Sequence, residues 1–216
     1  MPVVPHRFLF RYSIPVKRLE GIPRKGASLL ALPADAALPD FGELDGLRPF
    51  AEIRAAWNVE GLGISVQVTG KKMPLDCDPK QPAESDGLQI WIDTRSTQTI
   101  HRASRFCHHF CFLPSGGGKK GDEATVLQVP IALAREDAPR AKPGSIRVQR
   151  TDQKSGYLLE AWISADALQG YEPESNPKLG FYYSLRDAEL GEQNLIVSRE
   201  LPFAHDPSLW ATLELA

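Results

Sequence analysis

The sequence is short of the residues that would place it in several common classes. Three cysteines occur in 216 residues, Cys77, Cys107 and Cys111; so few, and an odd number, do not describe a disulfide framework. Basic charge is not in excess: 25 Lys and Arg stand against 27 Asp and Glu, a formal net charge of -2. Nothing therefore tracks a phosphate backbone, and no nucleic-acid partner is expected. No apolar run approaches the roughly 20 residues of a membrane span. The opening MPVVPHRFLF has no apolar stretch of signal-peptide length behind a basic head, so a cytoplasmic protein without a membrane partner is expected. The chain also lacks a G-x-x-x-x-G-K-[ST] loop and a G-x-S-x-G elbow; SGGGKKG at 115–121 reads as a loop. Internal repeats are missing too, and the oligomeric state leaves no mark.

Turn-forming residues are abundant, with 18 prolines and 17 glycines, which suits many short strands better than long helices. Period-two alternation predicts strands at RFLFRYSI (7–14), AEIRAAW (51–57), LGISVQV (62–68), GLQIWID (87–93), TVLQVPI (125–131), SIRVQR (145–150), YLLEAWI (157–163), LGFYYSLRD (179–187) and ATLELA (211–216). NVEG between the second and third has hairpin length. LLAL (29–32) predicts a short strand inside an otherwise irregular segment, and SADALQGY predicts one or two helical turns capped by Ser164. The sum is an all-β protein: a two-sheet antiparallel β-sandwich of jelly-roll or immunoglobulin-like type with at most one or two short helices. One domain is expected over 1–216, with an N-terminal strand and irregular extension at 1–50 and the core at 51–216.

RFCHHFCF (105–112) packs two cysteines and two histidines into eight positions. As a strand it turns Phe106, His108, Phe110 and Phe112 one way and Arg105, Cys107, His109 and Cys111 the other. Same-face neighbours lie roughly 6.6 Å apart, so the two cysteines are ~13 Å apart at Cα. A disulfide needs about 7 Å, and two thiolates so far apart do not reach one ion. A helix would bring Cys107 and Cys111 together at i, i+4, but the turn-like flanks and the aromatic density favour a strand. No metal site is therefore expected; a metal or redox module on Cys107, His109 and Cys111 is the alternative reading.

The candidate ligand-binding residues lie close by. Arg95, His101, Arg102 and Arg105 form a run of cationic groups suited to an anion, a carboxylate or an array of sugar hydroxyls, or to a protein partner. Trp91 and Trp162 fall on the outward register of their strands, where each offers a stacking platform unless a loop or the N-terminal segment covers it. Carboxylates pair in sequence as Asp86 with Asp93 and Glu160 with Asp187, as a glycosidase would require. A haem would want a Met and a His, or two His, as axial ligands; Met1 and Met73 are the methionines on offer, and nothing pairs His101, His108 or His109. The expectation is a non-enzyme.

Four segments in order carry a family resemblance: AAWNVEGLGISVQVTG (55–70), SDGLQIWIDTR (85–95), GYLLEAWISADALQG (156–170) running into LGFYYSLRDAELGEQ (179–193), and HDPSLWATLELA (205–216). Together they resemble the family 9 carbohydrate-binding modules and their DOMON-like relatives. The resemblance covers about 51–216. It implies a jelly-roll-like sandwich, non-catalytic saccharide or small-polar-ligand binding, and often structural calcium. In sugar-binding members two tryptophans sandwich the sugar; the matching positions here are Ala83 and Ala204, with Phe203 beside the second. The polar contact from the first strand's Glu falls to Gln89. Gly70 stands where those members carry an Asp after the VQV-type strand.

Overall fold

The computed structural model describes residues 6–197 and 200–216. Eleven strands are formed: β1 (Ser13–Arg18), β2 (Ala51–Asn58), β3 (Gly61–Thr69), β4 (Gly87–Asp93), β5 (Cys107–Gly117), β6 (Glu123–Gln128), β7 (Ile146–Gln153), β8 (Gly156–Ser164), β9 (Lys178–Asp187), β10 (Gly191–Asn194) and β11 (Ala211–Leu215). Among the described residues the only helical elements are six short 3-10 turns.

The strands form one continuous ladder in the order β6-β5-β4-β9-β11-β1-β2-β3-β8-β7, with β10 on β9. It folds over at β1 into two facing layers. The first four residues of β1 pair with β11 and its last two with β2, both in parallel, whereas the other pairings are antiparallel. Period-two alternation fills the space between the layers. Leu62, Ile64, Val66 and Val68 from β3 meet Ile90, Phe110, Phe112 and Phe181 from the opposite sheet in one continuous core. The β2–β3 hairpin turns on Val59 and Glu60, where the Asn58 Oδ1 accepts from the Glu60 N–H at 2.9 Å.

Three sequence expectations need correction. RFLFRYSI is not a strand at its start: His6–Leu9 is a 3-10 turn and β1 begins at Ser13. Its alternation of Phe8 and Phe10 does not track a core, since Phe10 is 59% exposed. LLAL is not a strand, because its backbone N–H groups point at a side chain, described below. SADALQGY gives one 3-10 turn, Ala165–Ala167, and the Ser164 side chain makes no capping hydrogen bond. Alternation did not reveal β10, whose four polar residues pair onto the end of β9.

A strap of residues 22–36 covers the outer face of the second sheet. Ile22, Leu29, Leu30, Leu32 and Ala36 pack on Ala56 and Trp162 in a second, smaller core. Gly63 lets the strap approach, since a Cβ there would meet the Leu30 methyls at 3.0 and 3.2 Å. Each buried Leu or Ile contributes on the order of 2 kcal/mol. Packing alone does not set the strap's path. The Glu160 carboxylate, outward on β8, accepts from the Ser28 hydroxyl (2.8 Å) and from the N–H groups of Leu29, Leu30 and Ala31 at 3.0, 3.0 and 2.8 Å. The backbone wraps an anion, with Ala31 at φ 47°, and cannot alternate as a strand would.

Candidate functional site

The outer face of the first sheet carries the unusual side chains in rows. Cys111, Gln89 and Ser184 lie side by side on β5, β4 and β9; His109, Trp91 and Tyr182 form the next row. RFCHHFCF is thus an extended strand, as the spacing predicts. His109 stacks on Trp91 at 4.2 Å between centroids and 10° between planes. Its Nε2 lies 3.2 Å from the Gln89 Oε1 and 3.6 Å from the Cys111 sulfur. A loop at 200–206 closes over the rows: Phe203 stacks on Tyr182 at 4.4 Å and meets Trp91 edge-on at 5.4 Å.

Between this loop and the turn at 82–84 lies an open cavity of about 280 Å3, lined among others by Ala83, Gln89, Trp91, Ser184, Phe203 and Ala204. Ala83 and Ala204, the two positions that carry tryptophans in the resemblance, therefore share one pocket. Strands supply its floor and loops its walls. The Gln89 amide donates to the Ala83 carbonyl at 3.2 Å, so Gln89 ties floor to wall. The buried Trp91 Nε1–H has no hydrogen-bond partner among the described residues, although a buried donor of this kind is normally satisfied.

The two tryptophans offered as exposed platforms are covered: Trp91 is 2% exposed and Trp162 is 4% exposed. The outward register was right for both, but Trp91 lies under Phe203 and Trp162 under the strap. Trp91 still contributes to the lining of a cavity. The cationic run does not converge on one ligand. Arg95 sits over the Phe106 ring at 4.7 Å and faces Glu172 at 3.8 Å. Arg102 donates to the Leu133 and Ala134 carbonyls, and Arg105 stands 4.0 Å from Glu136. His101 belongs to a different cavity, of about 360 Å3, with Phe8, Phe10, Arg11 and Asp206.

His101, Asp206 and Ser208 form a group that composition alone would take for a hydrolytic triad. Both contacts fall on the same ring nitrogen: Nδ1 lies 3.1 Å from the Asp206 Oδ2 and 3.1 Å from the Ser208 Oγ. A general base must hold the nucleophile at one nitrogen and its orienting acid at the other, so this geometry does not activate Ser208. The paired carboxylates fare no better. Asp86 and Asp93 flank the ends of β4, roughly 23 Å apart along an extended strand, far beyond a glycosidase pair. Glu160 lies under the strap, and Asp187 ends β9 in a salt bridge.

The thiols and imidazoles of β5 are uncharged. Burial pushes the Cys107 and Cys111 thiols up to about 12 and the His109 imidazole down to about 3. A thiolate ligand needs the opposite environment. No group of three or more His, Cys, Asp or Glu side chains is disposed to hold a metal ion among the described residues. Cys107 sits beside Ser104 at 4.0 Å and takes no part in the His109–Cys111 contact.

Sequence reasoning missed Lys71. Its ammonium lies 3.0 Å from the Asp86 Oδ2 and 2.9 Å from the Asp187 Oδ2, and the side chains of both aspartates are fully buried. Burial alone would lower the Lys71 pKa, but hydrogen bonds to Asp187 and Asp86 prevail and hold it above the ordinary lysine value. The calcium that the resemblance implies does not fit here. Gly70 offers no side-chain oxygen, and the Lys71 ammonium takes the carboxylate oxygens that a hard cation would need six to eight of.

No family model matches the chain, and no curated protein does either. Solved structures do. A family 9 carbohydrate-binding module from Caldicellulosiruptor kristjanssonii, in complex with glucose, superposes with a TM-score of 0.61 at 13% identity, over 95% of this chain and 96% of that one. A cellotriose complex from the same organism gives 0.58 at 13% identity, over 94% and 93%. The fold is that of the family 9 carbohydrate-binding modules.

Proposed function

We propose that this chain is a non-catalytic module that binds one saccharide unit, or a polar molecule of similar size, in the cavity between Ala83 and Ala204. The observation that carries the reading is that these two positions, far apart in sequence, line one pocket together with Gln89, Trp91 and Ser184. The structural neighbours were solved with glucose and with cellotriose, which makes saccharides the first ligands to try. At about 280 Å3 the cavity is at the small end for ligand pockets, the scale of a ring rather than a chain. Aromatic faces do not clamp the ring here. Hydrogen bonds from Gln89 and Ser184 hold it instead, and Ala83 leaves the wall open.

The test is a titration with glucose and with cellotriose, followed by NMR at the Trp91 indole N–H. Saturable movement of that resonance is expected, and it disappears in Gln89→Ala. Ala204→Trp supplies a ring face worth about 1 kcal/mol, so affinity rises several-fold. An indole resonance indifferent to both sugars, in the native chain and in Ala204→Trp alike, rules the reading out.

A further inference from the structure

We propose that the Lys71 side chain is the resident cation of the fold: its ammonium does the structural work between Asp86 and Asp187, and the protein needs no calcium. The geometry goes beyond a simple ion pair. Three segments meet at the ammonium: the stretch after β3, the residue just before β4, and the end of β9. Each carboxylate also holds backbone. The Asp86 Oδ1 accepts from the Ala188 N–H at 2.6 Å and its Oδ2 from the Asp76 N–H at 3.0 Å. The Asp187 Oδ1 accepts from the N–H groups of Glu189 and Leu190 at 2.9 and 3.0 Å. Glu189 in turn accepts from the N–H groups of Lys72 and Met73, both at 2.7 Å, so the Lys71 segment is tied from both sides.

Two buried carboxylates this close repel unless a cation lies between them. A divalent ion would satisfy them, and so does an ammonium with three donors on a flexible stem. The lysine is covalently attached, so no dissociation step and no free-ion concentration enters the stability. The arrangement also reaches the ligand cavity, because Asp86 lies two and three residues beyond Glu84 and Ala83, which line its wall.

The experiment is thermal unfolding of the full chain in EDTA and in excess calcium chloride, with calcium titration calorimetry alongside. The same midpoint in both conditions and no binding heat are expected. Lys71→Met, which keeps the length and removes the charge, lowers the midpoint by roughly 10 °C. Adding Asp187→Asn to it recovers part of that loss, because one of the two opposed charges is gone while the amide oxygen can still accept from 189 and 190. A native midpoint that rises with calcium or falls with EDTA overturns the inference. So does Lys71→Met with a native midpoint. The calcium comparison is made on the native chain, so it decides the matter even where Lys71→Met does not fold.

Discussion

Glu160→Leu is expected to cost the protein about 3–6 kcal/mol and to free the strap at 22–36 while the sandwich beneath stays assembled. Glu160 is 1% exposed, and its oxygens receive four hydrogen bonds from residues 28–31. Leucine fills similar space but accepts nothing, so three backbone N–H groups and a hydroxyl lose their acceptor. Each stranded donor costs about 1–3 kcal/mol, less where water can enter. The strap's apolar residues would still favour docking, but the path they follow is dictated by the anion. Three measurements check this. Urea unfolding gives the loss of stability, and amide exchange at 29–31 rises toward that of an open chain. Trp162, which the strap covers, shifts its fluorescence to the red. Retained protection at 29–31 in Glu160→Leu would show that packing alone holds the strap. Glu160→Gln keeps one accepting oxygen and is expected to fall between the two.

Mild acid is expected to weaken the fold well before the carboxylates titrate. Burial lowers His108 to about 4, against an opposing contribution from the Gln169 backbone, and lowers His109 to about 3. Neither His108 ring nitrogen makes a hydrogen bond of ordinary geometry among the described residues; the ring faces the core, stacked on Phe110. In the unfolded chain both imidazoles titrate near their usual pKa of about 6.5. The unfolded state therefore binds more protons than the folded state below that value. The stability that the two neutral imidazoles bring is full above pH ~6.5 and drains as pH falls toward 4. Two protons set a limiting slope of about 2.7 kcal/mol per pH unit. Over the interval from pH 6 to 4 the loss approaches 5 kcal/mol, a large share of the stability of an ordinary domain. Asp93 opposes this slightly, since burial raises its pKa. Asp206, whose bonds to Ser208 and His101 outweigh its burial, is lowered and adds its own loss only at lower pH. Urea unfolding of the native chain between pH 7 and 4 measures the slope, and the double variant His108→Leu, His109→Gln should flatten it. An unchanged slope in that variant would place the acid sensitivity elsewhere.

What the sequence disclosed and what it hid divide along one physical line. Alternation is local, and it placed nine of the strands in whole or in part and both faces of RFCHHFCF. It put Trp91 and Trp162 on the outer faces of their sheets, where they are. Whether an outer face meets water depends on what crosses it. Phe203 lies more than a hundred residues from Trp91, and the strap more than a hundred from Trp162. LLAL failed for the same reason: four apolar letters look like a strand until a carboxylate about 130 positions away claims their N–H groups. Lys71 followed a strand, beside a second lysine, and nothing nearby signalled that Asp86 and Asp187 would enclose it. The ligand cavity was half legible. Gln89, Ala83 and Ala204 were marked by the resemblance, but Ser184 joins them only when β4 and β9 lie side by side.

The parallel seating of Ser13–Val16 against Thr212–Leu215 sets the order in which the molecule can be finished. During synthesis β1 is made about 200 residues before the segment that pairs with its first four residues. Until Ala211–Leu215 arrives, β1 and β9 each present an unpaired edge. Closure joins segments about 200 residues apart, a contact of the long-range kind that makes folding slow.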